Sequence, residues 1–291
     1  MQQHRLPLIL PGETVSSEEN KVKKKPKNSL NELSGKEWIK FSKSWFTLKR
    51  GGSDREKLKT HPATFPAELA EDYIQFFTKP GESILDPFLG SGTTMEVAEQ
   101  MGRLSLGIEL QPEFAKFAAT RTSHPIVIGN AIEEIHNTNN FPSESLDYVL
   151  TSPPYWNTLH KSRGGNKDTR HKKRQARGES LVYSDNRADI GNIDDVNEYM
   201  CQLVSLFTGV HRVLKPKRYL TIIIQNLNYE GKLVPIAWQL GMALSESGLW
   251  IMKGERIWCK EQGKLGIYGY PTTYATNNFH HYCLTFQRRE S

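Results

Sequence analysis

Short apolar runs alternate with amphipathic stretches through the middle of the chain. Helical patterns follow most of the early runs, and Pro112 and Asp195 stand where two helices are expected to begin. The last two runs are joined without room for a packed helix. Seven runs predict strands: Ser83–Asp86, Leu104–Glu109, Ile126–Ile128, Leu146–Thr151, 219–225, Trp250–Cys259 and 281–287. The pattern therefore predicts a doubly wound α/β fold, with a mostly parallel seven-stranded sheet that ends in an antiparallel hairpin.

The composition is that of a globular protein. The 291 residues are 37% hydrophobic and 24% charged, which excludes a wholly disordered chain and a coiled coil. No apolar run approaches the ~20 residues of a membrane span, and the N-terminus has the wrong order of apolar and basic residues for a signal peptide. Cys201, Cys259 and Cys283 are scattered and fit neither a disulfide framework nor a metal site. We therefore expect a cytoplasmic protein with no metal and no membrane association.

Positive charge is concentrated in two segments. The net charge is +6, and several lysines lie at 21–27 within a polar segment, 1–44, that we expect to be flexible. The second concentration lies in a stretch without apolar periodicity, 157–190, named here the basic loop. Its basic residues include Lys161, Arg163, Lys167, Arg170, Lys172, Lys173, Arg174 and Arg177. Connections this long inside a domain are usually functional or disordered. We expect this one to be functional, and a solvated loop is the alternative.

A glycine-rich turn follows the first predicted strand, at the edge where open α/β sheets bind their ligands. It contains Asp86, Pro87, Phe88, Gly90, Ser91, Gly92, Thr93 and Thr94. Glycines allow a ligand to approach the backbone closely, and the helix that follows offers unpaired N–H groups. The turn lacks the Gly-Lys-Ser/Thr ending of an ATP-binding loop and the third glycine of a dinucleotide site. These features favour a nucleoside without a large phosphate load, and a purely structural turn is the alternative.

Further residues could complete a nucleoside pocket. Glu109 ends the second strand, where a carboxylate can accept hydrogen bonds from a ribose diol. Asn130 follows the third strand and could pair with adenine, although a Gly-Asn turn explains it equally well. Thr64 and Phe65 precede a predicted helix and could reach the rim of this pocket. The alternative is that they only form the start of that helix.

The fourth predicted strand ends in TSPPYW, a segment that contains Ser152, Pro153, Pro154, Tyr155 and Trp156. Two successive prolines fix an extended backbone and remove two N–H donors, so carbonyl oxygens stay available as acceptors. Two aromatic rings follow them. The combination suits a planar ring with an NH₂ group, because carbonyls accept from the amine and an aromatic face stacks on the ring.

The segments DPFLGSGTT, GIEL and TSPPYW resemble the motifs of the amino-methyltransferases that transfer a methyl group from S-adenosylmethionine to an exocyclic amine of a DNA base. The resemblance implies one Rossmann-like class I methyltransferase domain over 45–291. Within it, 45–145 would be the cofactor-binding half and 146–291 the catalytic half. The cofactor half comes first, so the chain resembles a circularly permuted member of that family.

The resemblance also implies roles for individual residues. Ser152, Pro153, Pro154 and Tyr155 would be catalytic, Trp156 and the basic loop would contact double-stranded DNA, and the target base would flip out of the duplex onto Tyr155. The glycine turn would bind S-adenosylmethionine together with Thr64, Phe65, Glu109 and Asn130. The chain departs from the family pattern at Asn130 and Asn226, where Asp is frequent, and at Lys217 and Arg218, where glycines often follow Lys-Pro.

Serine at position 152 favours cytosine N4 as the target by the same resemblance, with adenine N6 as the alternative. RNA and protein glutamine fit less well, since enzymes for those substrates often carry Asn-Pro-Pro-Tyr. A non-catalytic DNA-binding protein that kept the fold is an alternative of another class. We expect the protein to belong to a restriction-modification system, with a cognate restriction endonuclease that acts on the same site, and to associate with the nucleoid when it binds DNA.

Overall fold

The computed structural model describes residues 28–48, 65–156, 186, 188–229, 231–260, 271–272, 274 and 276–290. Ten strands form two sheets in this part of the chain. The strands are β1 (Trp45–Thr47), β2 (Ser83–Asp86), β3 (Leu104–Glu109), β4 (Ile126–Ile128), β5 (Leu146–Thr151), β6 (Leu214–Ile224), β7 (Leu227–Tyr229), β8 (Lys232–Val234), β9 (Trp250–Cys259) and β10 (His280–Arg288). Eight of them form the main sheet, and β7 and β8 pair separately.

Helices pack on both faces of the main sheet. They are α1 (Gly35–Phe41), α2 (Ala67–Phe77), α3 (Thr93–Gln100), α4 (Pro112–Ala119), α5 (Ala131–Glu134), α6 (Val196–Val213) and α7 (Ile236–Glu246), with a short 3-10 helix at Ile190–Asn192. Pro112 and Asp195 begin α4 and α6 as the sequence predicts, and the Asp195 side chain accepts from two N–H groups of α6. No helix in the described ranges is long and apolar enough to cross a membrane.

The order of the main sheet is β1-β9-β10-β6-β5-β2-β3-β4. All of its pairings are parallel except those of β10, which runs antiparallel to both β6 and β9. The predicted α/β fold class and the antiparallel terminal pair are therefore confirmed. The chain leaves β2 toward β4 and returns to β5 on the other side of β2. Such a switch point opens a crevice at the carboxyl ends of β2 and β5.

Successive residues of the central strands face opposite layers, as a sheet covered on both sides requires. In β5, Tyr148 and Leu150 pack in a cluster with Tyr73 of α2, whereas Val149 packs in a second cluster with Phe207 of α6. All six residues of β5 are buried. This double burial is the physical reason that three successive apolar residues, Tyr148, Val149 and Leu150, form the middle of the strand.

One strand of the main sheet was not predicted. β1 adds a parallel edge strand to β9, with Trp45 opposite Ile257 and Phe46 opposite Trp258. The sheet therefore has eight strands where the sequence predicts seven. Only the middle residue of β1, Phe46, is buried, so the strand is not a buried apolar run in the sequence and only its pairing with β9 reveals it. Although 45–145 is assigned to the cofactor half, β1 lies at the opposite edge of the sheet.

Part of the predicted flexible tail, 1–44, is folded. Ser34 starts α1 with a capping box that it shares with Glu37. Phe41 stacks on Phe76 of α2 with ring centroids 3.9 Å apart, and the Arg256 guanidinium lies 4.0 Å from the centre of the Phe41 ring. Folded structure is thus present before residue 45. Residues 1–27 lie outside the described part of the chain.

Replacing Lys217 with glycine is expected to stabilise the protein. Lys217 lies in β6 with a φ of +61°, a left-handed conformation that costs an L-residue roughly 1–2 kcal/mol. Glycine adopts it freely but loses more entropy on folding, so we expect Lys217→Gly to raise the free energy of unfolding by about 0.5–1 kcal/mol in urea denaturation. Lys217→Ala keeps the Cβ, loses the ion pair with Glu290, and serves as the control. If Lys217→Gly were less stable than Lys217→Ala, the left-handed conformation of residue 217 would not be a source of strain.

Candidate active site

A buried carboxylate joins the two sequence segments predicted to be functional. Asp86, at the end of β2, is 1% exposed. Its Oδ1 accepts from the Thr151 hydroxyl of β5 at 2.7 Å and from the Phe88 N–H at 3.1 Å, and its Oδ2 accepts from the Thr94 hydroxyl of α3 at 2.6 Å. Burial raises the pKa of Asp86 to about 6, and these hydrogen bonds oppose the rise. The glycine turn and the end of β5 are therefore fixed to each other at the switch point.

The glycine turn adopts a conformation that only glycine takes easily at two positions. Gly90 and Gly92 have φ values of +56° and +84°, and a Cβ on Gly92 would lie 2.9 Å from the Ala118 Cβ. Arg121 supports the turn by donating to the Ser91 carbonyl. α3 begins directly after Gly92 without a side-chain cap. Within the described part of the chain, no N-cap side chain accepts from its first N–H groups.

Glu109 ends β3 and supports the same turn from the other side. Its Oε2 accepts from the Gly90 N–H at 2.7 Å and its Oε1 from the Gln111 N–H at 2.8 Å. The residue is 7% exposed, and burial raises the pKa of Glu109 to about 7 against these two hydrogen bonds; nearby Asp86 and Asp189 raise it further. Each carboxylate oxygen keeps acceptor capacity for a ligand hydroxyl.

The SPPY turn continues from β5 into the crevice. The Tyr199 hydroxyl of α6 donates to the Pro154 carbonyl at 2.8 Å. The Tyr155 Oη lies 2.8 Å from Nδ1 of His281 in β10, and the Ser152 Oγ lies 3.5 Å from that same Oη. Within the described residues, no donor to the Pro153 carbonyl is found. The turn thus offers a hydroxyl, a carbonyl and an aromatic ring side by side.

Comparison with known proteins agrees with this arrangement. Residues 11–120 match the N6_N4_Mtase family model, described as DNA methylase, and this range includes the glycine turn and Glu109. The matched range covers most of the predicted cofactor half of the chain and ends before the SPPY turn. The chain is 51% identical over 61 residues to the Type II methyltransferase M.Cfr9I of Citrobacter freundii, and 38% identical over 90 residues to M.PvuII of Proteus hauseri.

These matches cover only part of each protein. They span 21% and 31% of this chain, and 20% and 26% of the two relatives. Among solved structures, the chain is similar to a TehB-like SAM-dependent methyltransferase from Corynebacterium glutamicum, with 11% identity and a TM-score of 0.45 over 80% of this chain and 94% of that one.

Three of the predicted cofactor residues have structural contacts of their own. Asn130 caps α5: its side-chain oxygen accepts from the Ile132 N–H, and its amide donates to Glu133. Phe65 packs against the α2 cluster, and Phe88 packs against the α6 cluster. These contacts give all three residues a structural role, and cofactor binding by them stays a prediction. Thr64 lies outside the described residues.

Trp156 departs from the predicted DNA contact. It is 5% exposed and packs edge-on against Tyr229, with ring centroids 5.5 Å apart. Its ring therefore supports the SPPY turn from within the core. The other predicted DNA contacts lie outside the described residues: Lys161, Arg163, Arg170, Lys172, Lys173, Arg174 and Arg177. The glycine turn precedes the SPPY turn along the chain, and circular permutation stays a prediction.

The site also contains residues that the sequence did not point to. Tyr199 and His281 hold the SPPY turn, yet they lie inside a predicted helix and a predicted strand without any distinctive motif. Thr151 begins the TSPPYW segment, and the sequence predicts no role for its side chain. Their roles depend on contacts between distant segments, such as the 126 positions that separate Tyr155 from His281. Among the described residues, no group of three or more His, Cys, Asp or Glu side chains could hold a metal ion.

The raised pKa of Glu109 predicts a pH-dependent stability. Because its pKa is about 7 in the folded protein and near 4.5 in the unfolded chain, the folded state binds a proton more tightly between these values, and stability falls as pH rises through them. We expect the free energy of unfolding of the wild type, minus that of Glu109→Gln, to fall by up to about 3 kcal/mol from pH 5 to pH 8 in urea denaturation.

The matched control for this measurement is Glu113→Gln, which removes an exposed carboxylate from α4. It reports the effect of losing one surface charge. A wild-type advantage over Glu109→Gln that stays level or grows with pH would show that burial does not govern this carboxyl.

Proposed function

We propose that the protein is a DNA methyltransferase that uses S-adenosylmethionine to methylate the exocyclic N4 amine of cytosine in double-stranded DNA. The observation that carries the proposal is the Asp86 carboxylate, which joins a glycine turn suited to a nucleoside to an SPPY turn suited to an aromatic amine. Both turns lie at the switch point of the sheet, where α/β enzymes bind their ligands. The match of residues 11–120 to a DNA methylase family model supports the same activity.

The cofactor half fits a nucleoside with hydroxyl donors. Glu109 is a buried acceptor at the end of β3, and Gly90 and Gly92 add no side chain to the turn. The carboxylate would hold the ribose diol, and the start of α3 would receive polar groups of the cofactor. When bound, S-adenosylmethionine supplies a methyl group that is activated by a positively charged sulfur.

The SPPY turn fits the acceptor amine. An aromatic amine is a weak nucleophile because its lone pair is delocalised into the ring. If its protons are donated to the Ser152 Oγ and the Pro153 carbonyl, the nitrogen becomes pyramidal and its lone pair becomes available. The Tyr155 ring would stack on the base after the base leaves the duplex, at a cost of a few kcal/mol. The chain thus contributes positioning and electrostatics.

The basic loop supplies the proposed DNA contact outside the active site. Its lysines and arginines follow the SPPY turn directly along the chain, so phosphate contacts there would hold the opened duplex beside Tyr155. DNA is the proposed partner, in the cytoplasm and at the nucleoid. A cognate restriction endonuclease that acts on the same site would be the partner enzyme of a restriction-modification system.

Methyl transfer to DNA is the direct test of this proposal. With tritiated S-adenosylmethionine and plasmid DNA, the wild type is expected to incorporate methyl groups, and nucleoside mass spectrometry is expected to find N4-methylcytosine. Ser152→Ala and Tyr155→Ala are each expected to reduce incorporation at least about tenfold, because each loses an interaction with the base. Ser205→Ala, at an exposed position of α6, is the matched control and is expected to retain activity.

The outcomes separate the alternatives. N6-methyladenine without N4-methylcytosine would make the protein an adenine methyltransferase. DNA binding without any methyl incorporation, under conditions in which the protein is folded, would indicate a non-catalytic DNA-binding protein.

Neutralising the basic loop is expected to weaken DNA binding and its dependence on salt. Each phosphate contact contributes about 0.9 to the slope of log K against log salt concentration. Changing Lys172, Lys173, Arg174 and Arg177 to Gln should therefore reduce the slope by up to about 3–4, as measured by fluorescence anisotropy between 50 and 200 mM salt.

A second variant controls for net charge. It carries Gln at four exposed lysines elsewhere on the protein: Lys36, Lys40, Lys116 and Lys253. Its slope is expected to stay near that of the wild type. Equal slopes for the basic-loop variant and the wild type would show that these four residues of the loop do not contact DNA phosphates.

A further inference from the structure

Tyr155 is held by a residue from the last strand of the sheet. Its Oη lies 2.8 Å from Nδ1 of His281, which is 6% exposed. The His281 ring stacks on Trp258 with centroids 4.7 Å apart and an interplanar angle of 24°. His281 and Trp258 are direct cross-strand partners of β10 and β9. The imidazole is therefore fixed by the sheet, whereas Tyr155 stands on a turn.

We propose that His281 is a positioning residue that fixes the ring plane and the hydroxyl direction of Tyr155, an inference that rests on the proposed function. The prolines before Tyr155 restrain its backbone, but they leave its two side-chain torsions free. A hydrogen bond to a fixed partner removes that freedom. It holds the face of the phenol ring in one orientation for a base that has left the duplex.

The same hydrogen bond sets the direction of the Ser152 hydroxyl. When neutral His281 accepts at Nδ1, the Tyr155 hydroxyl donates to His281 and can accept from Ser152. The Ser152 Oγ lies 3.5 Å from the Tyr155 Oη, and long hydrogen bonds in active sites commonly shorten when substrate binds. With its proton directed toward Tyr155, the Ser152 Oγ presents its lone pairs to the amine of the base.

Two substitutions of His281 separate the hydrogen bond from the packing. His281→Phe keeps an aromatic ring against Trp258 and removes the acceptor, whereas His281→Asn keeps an acceptor near the position of Nδ1. We expect His281→Phe to lower kcat for DNA methylation about tenfold, because one hydrogen bond is lost. KM for DNA should change less than about threefold. His281→Asn should recover kcat to within about threefold of the wild type.

A double-mutant cycle tests whether the effect passes through Tyr155. Tyr155→Phe removes only the hydroxyl and is expected to match the loss of His281→Phe. The double variant should then lose no more than either single variant. His280→Phe is the matched control, because His280 is adjacent on the strand and contacts Tyr282 instead. Its kcat should stay within about twofold of the wild type, and the affinity of His281→Phe for S-adenosylhomocysteine should be unchanged.

A measurement on the folded protein tests the contact without turnover. In protein labelled with ¹³C at tyrosine Cζ, the signal missing from Tyr155→Phe identifies Tyr155. We expect that signal to shift in His281→Phe and to return toward its wild-type position in His281→Asn.

An unchanged signal, additive losses in the cycle, or a His281→Asn enzyme as slow as His281→Phe would overturn the positioning role. A wild type that methylates no DNA would refute the proposed function, and the NMR signal would still decide whether His281 holds Tyr155.

Discussion

The Asp86 carboxylate is the interaction on which the candidate active site depends. A charge buried this deeply costs several kcal/mol unless donors surround it. Its donors come from three places: the glycine turn, the start of α3 and the end of β5. Because the hydroxyls of Thr94 and Thr151 meet on one side chain, the spacing between the two functional turns is set by a single residue. The parallel sheet brings the strands together, and Asp86 fixes the turns that leave them.

Glu109 extends this arrangement to the third strand. Its bond to the Gly90 N–H means that buried carboxylates hold the glycine turn from both sides. Burial raises the pKa of Asp86 to about 6 and that of Glu109 to about 7, so both groups gain from ligands that donate hydrogen bonds or carry positive charge. A cofactor with a ribose diol and a cationic sulfur meets that requirement, whereas a triphosphate would be repelled. The missing phosphate-loop lysine is consistent with the same electrostatics.

The central sheet and both turns could be predicted from the sequence because their signals are local. Buried strands are continuous apolar runs, glycines mark the turn with positive φ, and consecutive prolines mark the end of β5. Features set by distant contacts could not be predicted. β1 exists only through its pairing with β9, and α1 is held by Phe76 and Arg256. Trp156 follows the same rule, because an aromatic ring beside a functional turn can face inward or outward and the sequence does not distinguish the two.

The composition of the SPPY turn explains why its support comes from other parts of the fold. Proline lacks an N–H group, so two prolines deprive the turn of donors that would normally close it on itself. The open carbonyls suit an amine, but they leave the turn in need of external donors and acceptors. Tyr199 of α6 provides a donor to Pro154, and His281 of β10 provides the partner of Tyr155. Helix α6 and strand β10 therefore supply hydrogen bonds to a turn whose prolines lack donors. Among the described residues the Pro153 carbonyl accepts no hydrogen bond, and it is there that we propose the amine of the base is held.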